Sequence, residues 1–162
     1  MLTDEPLQAH SRGPGTPLPA KRGTTVRVTA GFEASPEHIF DGWIDPGIAG
    51  KWLFATASRP CARVAIDARV GGAFRFVERH GGETFEHAGV YVEIDRPRRL
   101  VFTLSDGKRS RDVTRVEVGI APHDGNGSEL TLCHENVPPD RAHRVEARWT
   151  GMLYGLGVML DL

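Results

Sequence analysis

The sequence predicts an α+β fold in which a curved antiparallel sheet of about seven strands wraps around one long C-terminal helix, with two short helices after the first strand. Three observations predict it. Short alternating or apolar runs recur through the middle of the chain, each closed by turn residues. An apolar segment, "FDGWIDPGIAGKWLF", is broken once by Asp45-Pro46. After Pro138-Pro139-Asp140 the apolar period changes from two to 3.6 and holds to the end of the chain.

Taken in order, "TTVRVTAGF" alternates apolar and polar residues over 24–32 and reads as a half-buried strand. Ser35-Pro36 reads as a helix cap followed by proline at the first helical position, where a missing N–H does no harm. Ile39, Phe40, Trp43 and Ile44 then share one helical face. Asp45-Pro46 ends that helix, because a residue before proline is pushed out of helical geometry, and Asp45 caps a second helix carrying Ile48, Trp52 and Leu53. Two short helices therefore meet at a corner, each offering one tryptophan to a common core. The six strands expected next are "CARVAIDAR", "GGAFRFVER", "TFEHAGVYVEI", "RLVFTLS", "VTRVEVGIA" and "SELTLCHE". Gly71-Gly72, Gly81-Gly82, Arg96-Pro97-Arg98, Asp106-Gly107 and Asp124-Gly125-Asn126-Gly127 supply the turns between them. The last helix, of about 22 residues, carries Ala142, Val145, Trp149, Met152, Leu156 and Met159 on its stripe, with Leu153 and Leu160 widening it and Arg141, Arg144 and Arg148 facing solvent. Such a helix buries its stripe by lying across the concave face of the sheet, leaving a space that is either filled by side chains or open as a pocket.

Composition narrows the function. The 162 residues carry a formal net charge of -1, which gives no concentrated basic surface for nucleic acid or anionic lipid. No apolar stretch has the length of a membrane span or of a signal-peptide core, and the expected compartment is the cytoplasm. Cys61 and Cys133 lack zinc spacing and are expected to be free, buried thiols. Residues 1–22 hold four of the eleven prolines and little bulky apolar surface, and read as a flexible tail before a domain over 23–162.

The chain resembles the START-like or SRPBCC helix-grip superfamily, and within it the single-domain bacterial relatives of the C-terminal domain of the activator of heat-shock-protein-ninety ATPase. The pieces that carry the likeness, in order, are "ASPEHIFDGWIDPGIAGKWL", "RVGGAFRF", "GVYVEIDRPRRLVFTLS", "SELTLCHENVP" and "WTGMLYGL". One departure stands at Arg148, where family members commonly have glycine before the tryptophan of the last helix. The resemblance implies a helix-grip fold and binding of an apolar or aromatic small molecule, lipid-like molecules included, between sheet and helix, without cofactor or metal. The superfamily also hosts carriers, cyclases, co-chaperones and stress-related proteins, so a chaperone-interaction domain or a cyclase- or hydrolase-type enzyme using the same cavity are the alternatives.

Individual motifs add little catalytic chemistry. Gly71-Gly72 has no following helix or P-loop lysine, no histidine pair has metal-ligand spacing, and no nucleophile elbow is present. Candidate ligand contacts come from strand faces: Phe74, Phe76 and Glu78; Glu86, Ala88, Val90, Val92 and Ile94; Leu130, Leu132 and His134. Trp43, Trp52, Trp149, Met152 and Leu156 complete the expected lining, the tryptophans as core or pocket wall. A carboxylate on an apolar wall is costly unless paired, so Glu78, Glu86 and His134 are candidates for polar groups in the cavity; at strand ends, Glu78 and His134 would instead lie in water. Arg96, Arg98 and Arg99, with Lys108, Arg109 and Arg111, fall in hairpin loops as solvated charge, or as a surface for a protein partner or an acidic ligand.

Overall fold

The structure is a computed structural model and describes residues 23–55, 59–105 and 113–161. The expected tail over 1–22, the Asp106-Gly107 turn and the basic run at Lys108, Arg109 and Arg111 lie outside the described residues. Strand β1 (Thr24–Phe32) leads to helices α1 (Pro36–Ile44) and α2 (Pro46–Trp52). Strands β2 (Arg63–Ile66), β3 (Ala73–His80), β4 (Glu83–Asp95), β5 (Arg99–Leu104), β6 (Thr114–His123) and β7 (Gly127–Val137) follow. A 3-10 turn (Pro139–Arg141) then enters helix α3 (Ala142–Leu160). The strands form one seven-stranded antiparallel sheet in the order β1-β7-β6-β5-β4-β3-β2. It is a meander except for β1, which closes against β7.

Local chemistry explains the corner between the short helices. The Ser35 hydroxyl accepts the His38 amide at 3.1 Å, and the Asp45 carboxylate accepts the Gly47 amide at 2.8 Å. Asp45 works at both helices, because its own N–H donates to Asp41 O at 2.9 Å as α1 ends. Each side-chain cap is worth about 1 kcal/mol. Trp43 and Trp52 meet edge to face across the corner, with ring centroids 4.7 Å apart, and the Trp52 indole donates to Gly42 O at 2.9 Å. The hairpin between β3 and β4 turns on Gly81 and Gly82, at φ 53° and 86°; a two-residue turn of that hand needs positive φ at both positions, which glycine supplies without strain.

The core lies between the sheet and the helices and contains Phe74, Phe76, Leu130, Leu132, Trp149, Met152 and Leu156, as the sequence predicts. The reading of β4 needs correction. Val90 and Val92 are each 41% exposed, Glu86 pairs with Arg75 of β3, and the inward positions are His87, Gly89 and the buried Tyr91. The cause is a bulge: the pairing of β4 with β5 shifts between Tyr91 and Glu93, so the inward parity of Ile94, which packs on the core, reverses on the other side of it. The arginines of the β4–β5 turn are taken up by ion pairs, Arg96 with Asp41, Arg98 with Asp95, and Arg99 with Glu93 and Glu117. Among the described residues no helix is long and apolar enough to cross a membrane.

Candidate functional site

Two polar constellations meet the aromatic interior where α3 crosses the sheet. The first centres on Glu78, whose side chain is 13% exposed near the end of β3. Strand alternation aims it inward after Phe74 and Phe76, and the strand pairing brings His87 of β4 alongside. His80 lies 2.9 Å from one carboxylate oxygen; His87 and Arg148 hold the other, Arg148 donating at 2.9 Å. Arg59 in turn contacts His80. Burial alone would raise the Glu78 pKa, but the hydrogen bonds from His87 and His80 and the charge of Arg148 outweigh it and bring it down to about 2. Arg148, expected in solvent, is half exposed and bridges α3 to β3 with its guanidinium.

Phe54, just beyond α2, joins this cluster to the core. Its ring stacks on His87 with centroids 4.4 Å apart and planes 8° from parallel, and its amide donates to the Met152 sulfur at 3.0 Å. Its φ of 57° is left-handed, a conformation that costs a non-glycine residue about 1 kcal/mol or more.

The second constellation is a directed relay. The Trp149 indole N–H donates to His134 Nδ1 at 3.0 Å, so the imidazole proton sits on Nε2 and faces Thr114 Oγ1 at 2.7 Å, while the threonine hydroxyl donates to Leu104 O at 3.2 Å. Every member is satisfied with His134 neutral, and burial lowers its pKa to about 4. A carboxylate with a pKa near 2 and an imidazole near 4 are both too weak as bases for efficient proton abstraction near neutral pH.

Between the constellations, the rings of Trp43, Phe54, Phe74, Phe76, Tyr91 and Phe102 surround a cavity of about 10 Å³, the room of roughly one water. Trp43 is 1% exposed and its indole N–H has no hydrogen-bond partner among the described residues. Of the residues expected to line a site, Trp43, Phe74 and Phe76 border this cavity and Glu78 stands at the sheet–helix gap. Trp149, Met152 and His134 pack at α3, and Trp52 and Leu156 are buried in the corner behind. Glu86, Val90 and Val92 lie outside. Sequence reasoning missed Phe54, His80, His87 and Tyr91. The i, i+2 pair Glu78 and His80 on one strand was the available signal for His80.

The model of the family described as "Activator of Hsp90 ATPase homolog 1-like protein" matches residues 33–161. Similar solved structures include a protein of Chromobacterium violaceum, 24% identical with a TM-score of 0.77, covering 85% of this chain and 97% of that one. An AHSA1-like protein from Aeromonas hydrophila is 21% identical with a TM-score of 0.73, covering 85% and 92% of the two chains. An HSP90 activator from Plasmodium falciparum is 22% identical with a TM-score of 0.68, covering 86% and 97%. These likenesses carry the fold. Among curated proteins, none matches the chain.

Proposed function

Starting from a chain that belongs to the Activator of Hsp90 ATPase homolog 1-like family, we propose that this protein binds an apolar or aromatic small molecule between its sheet and α3. The observation that carries the reading is how the space is shut. Where α3 approaches β3, the closure is polar: Arg148 on Glu78, with His80 and His87 behind. Arg148 is about half exposed, and an ion pair of that kind is worth about 0–1 kcal/mol, far less than an interdigitated apolar seam. Behind it stand Phe54, on a strained backbone with a weak sulfur acceptor, and Met152, whose flexible side chain repacks easily. Opening this latch gives access to aromatic walls.

Pockets for drug-sized ligands enclose about 300–1,000 Å³, so binding requires Phe54 and Met152 to move outward. A thermal-shift screen of flavonoids, polyketides, sterols and fatty acids, with native mass spectrometry for a retained molecule, tests the reading. Binding confined to the folded state at a hundredfold excess over Kd adds about 2.7 kcal/mol, a rise in Tm of several degrees. Met152→Trp should fill the space and abolish the shift while the fold persists.

The small size of the cavity, about 10 Å³, favours a second reading, a protein-interaction domain. The Plasmodium falciparum relative is an HSP90 activator, and a chaperone of that class is the natural partner to test. Calorimetric binding to such a chaperone, retained by Met152→Trp, together with an empty ligand screen, would put this reading first.

A further inference from the structure

The three tryptophans of the core differ in one respect. Trp52 donates its indole N–H to Gly42 O and Trp149 donates to His134, whereas the N–H of Trp43 has no acceptor among the described residues although the residue is 1% exposed. Leaving a buried donor unpaired costs about 1–3 kcal/mol, and buried polar groups in folded proteins are nearly always satisfied. Three rings lie close to Trp43: Trp52 at 4.7 Å, Trp149 at 6.1 Å and Phe102 at 6.2 Å between centroids. None has a lone pair in the plane of a conventional hydrogen bond. Trp43 also borders the cavity between sheet and helices. A buried donor with no partner among the described residues, on a side chain that lines an apolar cavity, calls for an acceptor those residues do not provide.

We infer that the molecule taken into this cavity carries a neutral hydrogen-bond acceptor, a ketone, ester or aryl-ether oxygen, which receives the indole N–H of Trp43. The inference rests on the small-molecule reading above and narrows it to a ligand class. An ionised head group does not fit the same position, because the described residues that line the cavity carry no cation, and Arg148 and Arg59 are engaged elsewhere, by Glu78 and His80. Charge buried without a partner is far costlier than a buried neutral carbonyl. The ligand is therefore a flat, mostly apolar molecule with a neutral oxygen buried deepest. A carboxylic acid enters poorly or keeps its charge in water.

Three compounds on one skeleton separate the possibilities: fluorene, its ketone fluorenone, and fluorene-9-carboxylate. Affinities are measured by calorimetry on the full chain and on Trp43→Phe, with circular dichroism confirming that the variant folds, and the indole N–H resonances of the wild type are followed by nitrogen–proton NMR. The wild type should bind fluorenone about tenfold more tightly than fluorene, the scale of one buried hydrogen bond, and the carboxylate most weakly. The preference should vanish in Trp43→Phe, and fluorenone should shift the Trp43 indole resonance where fluorene does not. Equal binding of ketone and hydrocarbon, or a preference that survives in Trp43→Phe, overturns the inference and leaves the small-molecule reading standing. An unmoved Trp43 resonance with fluorenone bound, its N–H instead contacting one long-lived water, overturns it too, and this readout does not need the variant. Failure of all three compounds to bind sinks the inference and counts against the small-molecule reading itself.

Discussion

Acidification from pH 7 to 5 should weaken the fold chiefly through His134. In the folded protein, Trp149 donates to Nδ1, so the added proton would face another donor in a site that burial already makes hostile to charge; the imidazole stays neutral down to about pH 4. In the unfolded chain it takes up a proton near its ordinary value of about 6.5. A folded pKa below the unfolded one means that the unfolded state binds the proton first. Stability from this group is therefore complete above pH 6.5 and lost progressively as the pH falls to about 4. At 1.36 kcal/mol per pH unit, the loss is about 2 kcal/mol by pH 5 and about 3 kcal/mol by pH 4. Urea unfolding at half-unit intervals measures it, with His134→Leu as the comparison. The variant should be weaker at pH 7 by about 1–3 kcal/mol, because the Trp149 N–H loses its acceptor, and its profile should lack the His134 slope so that the two curves close the gap by pH 4 and cross before it where the deficit is under about 3 kcal/mol. Nitrogen–proton NMR of the imidazole assigns the titration to this residue. A His134 that titrates near 6.5 in the folded protein, or wild-type and variant profiles that run parallel, would refute the relay.

Three further outcomes are expected. A second loss belongs to Glu78, whose depressed pKa gives stability that is lost as pH falls from about 4.5 toward 2; thermal melts of Glu78→Gln across that range should lack this component. Two glycines should respond with opposite signs in chemical denaturation. A Cβ on Gly89 would sit 1.8 Å from Thr103 O and 2.6 Å from the Phe74 ring, so Gly89→Ala should destabilise by about 3 kcal/mol or more, whereas Gly151 has nothing within 4 Å of the added carbon and Gly151→Ala in α3 should gain about 0.5–1 kcal/mol. Both cysteines are free, and burial, with the Glu78 charge, pushes the Cys61 thiol up to about 11; thiol reagents at pH 8 should label Cys61 slowly in the native protein and both residues quickly in denaturant, and a mass two hydrogens short would contradict it.

Much of the architecture is readable from local chemistry. Ser35-Pro36 and Asp45-Pro46 carry their own boundaries, and the long period of α3 needs no tertiary help to be recognised. The inward faces of β3 and β7 follow from alternation and lead to Glu78 and His134. Beyond that, the site depends on facts that alternation does not encode. The bulge between Tyr91 and Glu93 carries no glycine to mark it, yet it decides that Tyr91 and His87 face inward while Val90 and Val92 face outward. Phe54 takes a left-handed backbone that no phenylalanine would signal in advance. Arg148 meets Glu78 across 70 residues of chain, and its position on the exposed side of α3 gives no hint that its side chain reaches the sheet.

The closure of β1 against β7 has a consequence for how the molecule comes into being. Thr24 pairs with Val137, so the first strand made must wait for the last, and at ordinary synthesis rates of about 5–20 residues per second that interval lasts roughly 5–20 seconds. Through it, α1 and α2 have left the ribosome with Trp43 and Trp52, but the helix that will cover them has not been made, and β1 presents a bare edge to whatever strand arrives. Until β7 arrives, that edge and the two indoles stay open to other chains. The order of the strands, more than the make-up of the core, sets how long that exposure lasts.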